Sequence, residues 1–192
     1  ITENFPGISV KVMEGNMMAI ADYLDNGEVD LVFTYDRHVP QGQSFEPLFA
    51  APPYALISRS DEASQRPSIT FEQLSKKPMI MLDLPYTRDY FFGLFRARGL
   101  EPDVAHSTRS SEIAKALVEG DFGFTLLNIR PRNYSPKDSR YSVVPISDSS
   151  DVPVFGISTT GNLRQPKNVR SFIKICTKLR DDGIFDSCTV TA

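Results

Sequence analysis

A short spacing pattern, written twice, constrains this chain more than any other feature. Leu24, Gly27 and Asp30 precede the apolar run Leu31-Val32-Phe33, and Leu117, Gly120 and Gly123 precede Phe124-Thr125-Leu126-Leu127. In each copy, apolar residues at helical spacing stop at a glycine able to take the left-handed backbone that ends a helix, and a strand follows. That is half of a helix-to-strand crossover. Two copies 93 residues apart imply two similar α/β lobes, and paired α/β lobes hold small molecules in the cleft between them.

The rest of the chain fits that frame. Ile8, Val10 and Val12 alternate with polar residues, as in a strand over Ile8 to Met13. Asn16 is a good N-cap for a helix with Met17, Ile20 and Leu24 on one face. Leu31 to Thr34 reads as a buried strand. Leu48 to Ala51 and Tyr54 to Ser58 flank Pro52-Pro53, and two adjacent prolines deny a sheet its donors, so Tyr54 to Ser58 is expected at an edge or in a connecting ribbon. Thr70 and Gln73 have capping-box spacing. Met79 to Leu82 reads as a strand. Thr87 is expected to cap a helix that buries Phe91, Leu94 and Phe95, and Ser110 or Ser111 to cap one over Glu112 to Glu119. Val154 to Ser158 is a second connecting strand, and Val169, Phe172, Ile173, Cys176 and Leu179 trace a final helical stripe. Alternating strands and helices argue for parallel sheets covered by helices. The expected architecture is therefore α/β, with two Rossmann-like lobes joined by two crossover segments. Residues 1–58 and 154–192 form one lobe and 59–153 the other.

Candidate chemistry lies in polar residues at strand-to-helix turns. Asn16, Thr87 and Ser110 stand where helix N-termini present unpaired amides and partial positive charge, which suits a carboxylate or another small anion. Each is equally explained as a cap and nothing more. Tyr86 can stack and donate, and Arg88 and Arg109 can each grip a carboxylate with two parallel bonds, with a solvated surface position as the alternative. No catalytic pair, metal spacing or phosphate-binding glycine loop is present. His38, His106, Glu14 and Asp83 stand without an evident acid/base partner, and the two cysteines, Cys176 and Cys188, give no disulfide framework. Arg170, Lys174 and Lys178 recur at spacing four, as on a solvated helix face. With a net charge of −3, the summed field does not attract polyphosphate, so a free-standing nucleic-acid-binding module is disfavoured. The 192-residue chain holds no apolar run long enough to cross a bilayer.

With those residues in hand, the chain resembles the effector-binding domain of LysR-type transcriptional regulators. The resemblance rests on Phe5-Pro6-Gly7, on Glu14-Gly15, on Leu24-Asp25-Asn26-Gly27-Glu28-Val29-Asp30-Leu31, and on Leu117-Val118-Glu119-Gly120-Asp121-Phe122-Gly123. It implies a two-lobed fold of the periplasmic-binding-protein type, holding a small effector between lobes. The implied pocket positions are Asn16, Thr34 and Tyr35 in the first lobe and Tyr86, Thr87 and Ser110 in the second. Asn128 replaces the family's usual proline after the second glycine-rich block, which makes that pocket wall more polar. The resemblance further implies a cytoplasmic homo-oligomer that needs no cofactor or metal and makes no membrane contact. It reaches DNA only through a helix-turn-helix outside this sequence. On the same comparison, the family's first strand and most of its first helix lie upstream of Ile1, so this chain is expected to be a fragment. The rival readings are a transporter's solute-binding protein and a small α/β enzyme.

Overall fold

The computed structural model describes residues 9–37, 39–130, 134–161 and 165–192. In chain order the elements are α1 (Met17–Asp25), β1 (Val32–Tyr35), β2 (Gln43–Ala50), β3 (Tyr54–Ser58), α2 (Phe71–Leu74), β4 (Pro78–Leu82), α3 (Thr87–Arg96), β5 (Asp103–Thr108), α4 (Ser111–Glu119), β6 (Thr125–Leu127), β7 (Tyr141–Pro145), β8 (Val154–Thr160) and α5 (Lys167–Asp181). Contacts group them into two compact units. One comprises Ile1–Ala50 with Pro153–Asp186, the other Ala51–Val152 with Ser187–Ala192.

In the first unit, β8 lies between β1 and β2 and pairs antiparallel with both. The segment expected as a connecting ribbon is thus a central strand. Gly156 explains how β2 lies so close to it: a Cβ there would fall 2.3 Å from the Glu46 carbonyl oxygen. Pro47, which has no N–H to donate, stands where the β2 register shifts. Helix α5 covers this sheet with Phe172, Ile173 and Cys176, packed against Leu48 and Ile157. Arg180 in its last turn donates to Glu46 Oε1 at 2.9 Å and to the Pro47 carbonyl at 2.7 Å. No strand forms over residues 9–13, despite their alternation. Val10 is 52% and Val12 79% exposed, and without a paired neighbour an alternating segment gains no ladder hydrogen bonds. Ile8 and the Phe5-Pro6-Gly7 turn lie outside the described residues.

In the second unit, β3 is the middle strand of β6-β3-β7, antiparallel to both neighbours and buried along its whole length. This corrects the edge reading. Pro52 and Pro53 stop just short of the ladder, so the strand that follows loses no donor. The same burial moves the unit boundary from Ser58 to Ala51, because the partners of β3 all lie in the second unit. Strands β4 and β5 run parallel, and Met79 bridges Phe124. Among the described residues, parallel pairing is therefore confined to β4 with β5 and to isolated bridges. The other ladders are antiparallel, a departure from the expectation of parallel sheets: β8 returns between β1 and β2, and β3 lies between β6 and β7, each opposed in direction to both neighbours. The core here gathers Ile57, Phe71, Met79, Phe91, Phe95 and Phe124, each worth about 1.5–3 kcal/mol of transfer energy when fully buried. The proline- and serine-rich stretch after Arg130 contributes β7, which carries the apolar Val143 and Val144. A third passage between units, which the sequence did not announce, follows Asp186. Val190 packs with Tyr54, Leu56 and Ile80, and Arg130 donates to the Ser187 carbonyl from Nε at 3.0 Å and Nη2 at 2.8 Å.

The two copies of the opening pattern end their helices alike, although different residues supply the left-handed position. After α1, Gly27 has φ +70, and the amide of Glu28 closes back on the Tyr23 carbonyl at 2.8 Å. After α4, Gly120 is a C-cap with φ −82, Asp121 takes φ +66, and the amide of Phe122 closes on the Leu117 carbonyl at 3.1 Å. Gly123 serves a different need: a Cβ there would lie 2.3 Å from the Pro78 carbonyl oxygen, so it lets β6 approach β4.

Candidate functional site

In the second unit, the parallel pair β4 and β5 places two helix starts side by side, since α3 follows β4 and α4 follows β5. The loops are joined where the Asp83 amide donates to the Thr108 carbonyl at 2.8 Å. Helix N-termini beyond the carboxyl ends of parallel strands are where α/β sheets take ligands.

The two starts differ. Ser110 is the α4 cap: its Oγ accepts from the Ile113 amide at 3.3 Å, its φ is −113, and its hydroxyl proton is still available to donate. At α3 the expected cap is displaced by one residue, because Thr87 is the first helical residue and Tyr86 holds the cap position without a side-chain cap bond. Tyr86 has φ +64 and ψ −36, and the Thr87 amide turns back to the Pro85 carbonyl at 2.8 Å. This tight, positive-φ turn is costly for a residue with a Cβ, and such strain concentrates where ligands are held. Half-buried Thr87 keeps a hydroxyl that caps nothing.

The arginines are disposed differently from a carboxylate clamp. Arg88 pairs with Asp83 at 3.2 Å, with both side chains largely exposed, and its guanidinium lies 5.4 Å from the Phe92 ring centroid. Arg109 is exposed. Asn128 is 8% exposed and turned inward, its Nδ2 donating to the Ala51 carbonyl at 2.8 Å.

In the first unit, Asn16 caps α1, its Oδ1 accepting from the Met18 and Ala19 amides at 3.1 and 3.0 Å. Thr34 and Tyr35 end β1, half-buried, with the Tyr35 ring edge-on to Phe155 at 5.3 Å. Asp36 follows them, and sequence reasoning passed over it. Its amide donates to the Val154 carbonyl at 2.8 Å and its Oδ1 accepts from the Val154 amide at 3.0 Å. Tyr90 sits about one turn beyond Thr87 on α3.

A groove of about 760 Å³ on the first unit is lined largely by apolar side chains, among them Val10, Val12, Ile20, Phe33, Phe172 and Ile175. Glu14 lines it, but none of Asn16, Thr34, Tyr35, Tyr86, Thr87, Arg88, Arg109, Ser110 and Asn128 does. His106 is exposed and edge-on to Phe122 at 5.7 Å, while His38 lies outside the described residues. Burial pushes the Cys176 thiol up, away from the reactive thiolate. Among the described residues, no group of three or more His, Cys, Asp or Glu could hold a metal ion, and no helix is long and apolar enough to cross a membrane.

A family model described as the LysR substrate binding domain matches residues 1–180. Among curated proteins, the HTH-type transcriptional regulator cbl of Escherichia coli (strain K12) is 28% identical over 128 residues, 65% of this chain and 40% of that protein. The chain thus spans about two fifths of the length of the curated relatives it matches. Among solved structures, a putative LysR family transcriptional regulator from Pseudomonas aeruginosa aligns with a TM-score of 0.84 at 26% identity, covering 92% of this chain and 63% of that one. The BenM effector-binding domain with its effector benzoate aligns with a TM-score of 0.82 at 16% identity, over 96% of this chain and 84% of that one. At that identity the likeness speaks for the fold alone.

Proposed function

The chain belongs to the LysR substrate binding domain family, and from that premise we propose that it is the effector-sensing part of a bacterial transcription regulator whose effector is a small anionic metabolite. The observation that carries the reading is the uncapped start of α3, with Tyr86 at φ +64 beside the Ser110-capped start of α4. Adjacent helix N-termini, each with a partial positive charge and a hydroxyl (Thr87, Ser110) able to donate, suit a carboxylate or similar anion, and the benzoate of the BenM domain is such a group. Thr87 and Ser110 donate to the anion in this reading, and Tyr86 flanks it. Thr34 and Tyr35 are the residues of the first unit assigned to effector recognition. Asn16 remains a cap, and Arg88, Arg109 and Asn128 contribute no direct contact. Binding then biases a conformational equilibrium, and the bias reaches DNA through subunit contacts and a helix-turn-helix elsewhere in the regulator. The chain's cytoplasmic place and self-association belong to the same proposal.

The test is a thermal-shift screen of small carboxylates, benzoate included, followed by titration of the best compound into Thr87→Val and Ser110→Ala. Each substitution is expected to weaken binding about tenfold, as loss of a hydrogen bond to a charged ligand does. Thr87→Val leaves folding nearly unchanged, because the hydroxyl caps nothing. Ser110→Ala costs about 1 kcal/mol. Unchanged affinity in both variants removes these residues from the site.

A further inference from the structure

Two side chains of the second unit hold the backbone at the first two of the three places where the chain passes between units. The chain enters between Ala50 and Ala51 and leaves between Val152 and Pro153. Asn128 Nδ2 donates to the Ala51 carbonyl at 2.8 Å. Tyr90 Oη donates to the Asp151 carbonyl at 2.9 Å, and Asn128 Nδ2 lies 3.5 Å from that same Oη. One connected group of two side chains therefore touches both links. A second grip, from the turn just after α3, strengthens the attachment, because Arg98 pairs with Asp148 Oδ2 at 3.2 Å and also donates to the Asp148 carbonyl.

Tyr90 stands on α3, whose first turn is the candidate effector site. Its amide donates to the Tyr86 carbonyl at 2.9 Å, so the strained residue at the helix start and the residue that grips the link are joined by one backbone hydrogen bond. A helical turn moves as a unit, and what displaces Tyr86 and Thr87 displaces the Tyr90 ring. We infer that Tyr90 and Asn128 form a latch coupling the first turn of α3 to both links, and that they act as positioning residues with no contact to the ligand. This deepens the effector reading, on which it rests for its biological meaning. It also gives Asn128 a role other than the polar pocket wall expected from the sequence: the amide spans from one link to the tyrosine that holds the other, a bond that proline at this position could not donate.

Amide hydrogen exchange on the ligand-free chain tests the latch. Tyr90→Phe keeps the ring and removes the Oη bonds, and is expected to speed exchange at residues 150–154 about two- to fivefold, with protection in β4 and β6 unchanged. Tyr86→Gly, which relaxes the helix start, is expected to alter exchange at residues 150–154 about twofold or more, and to lose that effect in the Tyr90→Phe background. Asn128→Ala is expected to speed exchange at Ala51 and Tyr54, the nearest residues with an N–H on either side of the prolines. Unchanged exchange at 150–154 in Tyr90→Phe overturns the latch. So does a uniform rise across the second unit, or a Tyr86→Gly effect equal in both backgrounds. No ligand enters the experiment, so failure of the latch is read from exchange and failure of the effector proposal from the thermal-shift titrations.

Discussion

Asp148 offers a stringent test of how the second unit is held together. Its carboxylate accepts from the Phe71 amide at the start of α2, at 3.1 and 3.3 Å from its two oxygens, and pairs with Arg98 Nε at 3.2 Å. Phe71 is fully buried, so removal of the carboxylate strands a buried N–H, at a cost of about 1–3 kcal/mol. The ion pair adds less: the side chains are 19% and 36% exposed, and such pairs are worth about 1 kcal/mol or below. Arg98 also keeps its bond to the Leu94 carbonyl at 2.8 Å and its place 4.5 Å from the Phe71 ring centroid. Asp148→Ala is therefore expected to cost about 2–3 kcal/mol. Asp148→Asn retains an acceptor for Phe71 but turns an amide donor towards Arg98, and is expected to cost about 1 kcal/mol. Urea unfolding followed by circular dichroism reads both costs from the midpoints, provided the slope is unchanged. Equal costs for the two variants would refute the view that the amide cap, and not the ion pair, dominates.

Other expectations follow from single residues. Asp121→Gly is expected to stabilise by about 0.5–1 kcal/mol, because it frees a side-chain-bearing residue from φ +66, whereas Gly27→Ala at φ +70 is expected to destabilise by about 1 kcal/mol; the opposite signs are read from paired melting curves. Gly123→Ala forces a Cβ to within 2.3 Å of the Pro78 carbonyl and is expected to cost on the order of 3 kcal/mol, measured as a fall in urea midpoint. Burial alone would raise the Asp61 carboxyl, but the Lys77 hydrogen bond, the Ala63 amide and the charges of Lys77 and Arg66 together hold it below its usual value. Its stabilising contribution is complete above the unfolded carboxylate pKa of about 3.9 and is lost as pH falls through the lower, folded value. Lys77→Met is therefore expected to flatten the acid side of the stability profile, measured as urea midpoints from about pH 6 downward.

Local rules were legible because local geometry obeys them. The capping box at Thr70, with the Gln73 amide 3.3 Å from Thr70 Oγ1 and the Thr70 amide 3.0 Å from Gln73 Oε1, could be read directly from two residues, as could the caps at Asn16 and Ser110. The helix stripe ending at Leu179 identified α5 for the same reason. Pairing was not legible, because it depends on residues distant in sequence. Pro52-Pro53 lies before β3, and nothing in Tyr54 to Ser58 states that β6 and β7 close on both its edges. Alternation of strands and helices overstated parallel pairing, since β8 enters between β1 and β2, and β3 between β6 and β7, all antiparallel. At the candidate site, residue types and turn positions were visible, but partner choice was not: that Arg88 turns to Asp83 and Phe92, and Asn128 to Ala51, follows from packing that spacing does not encode.

The course of the last six residues has a consequence for how this molecule is made. Val190 completes an apolar cluster whose other members, Tyr54, Leu56, Ile80, Ala114 and Val118, emerge from the ribosome far earlier. At translation rates of about 5–20 residues per second, those side chains await their final neighbour for several seconds while the strand β8 and helix α5 of the other unit are still being synthesised. Neither body can be excised as one uninterrupted stretch of gene, and a clone stopping at Val152 would express a core with a vacancy beside Tyr54.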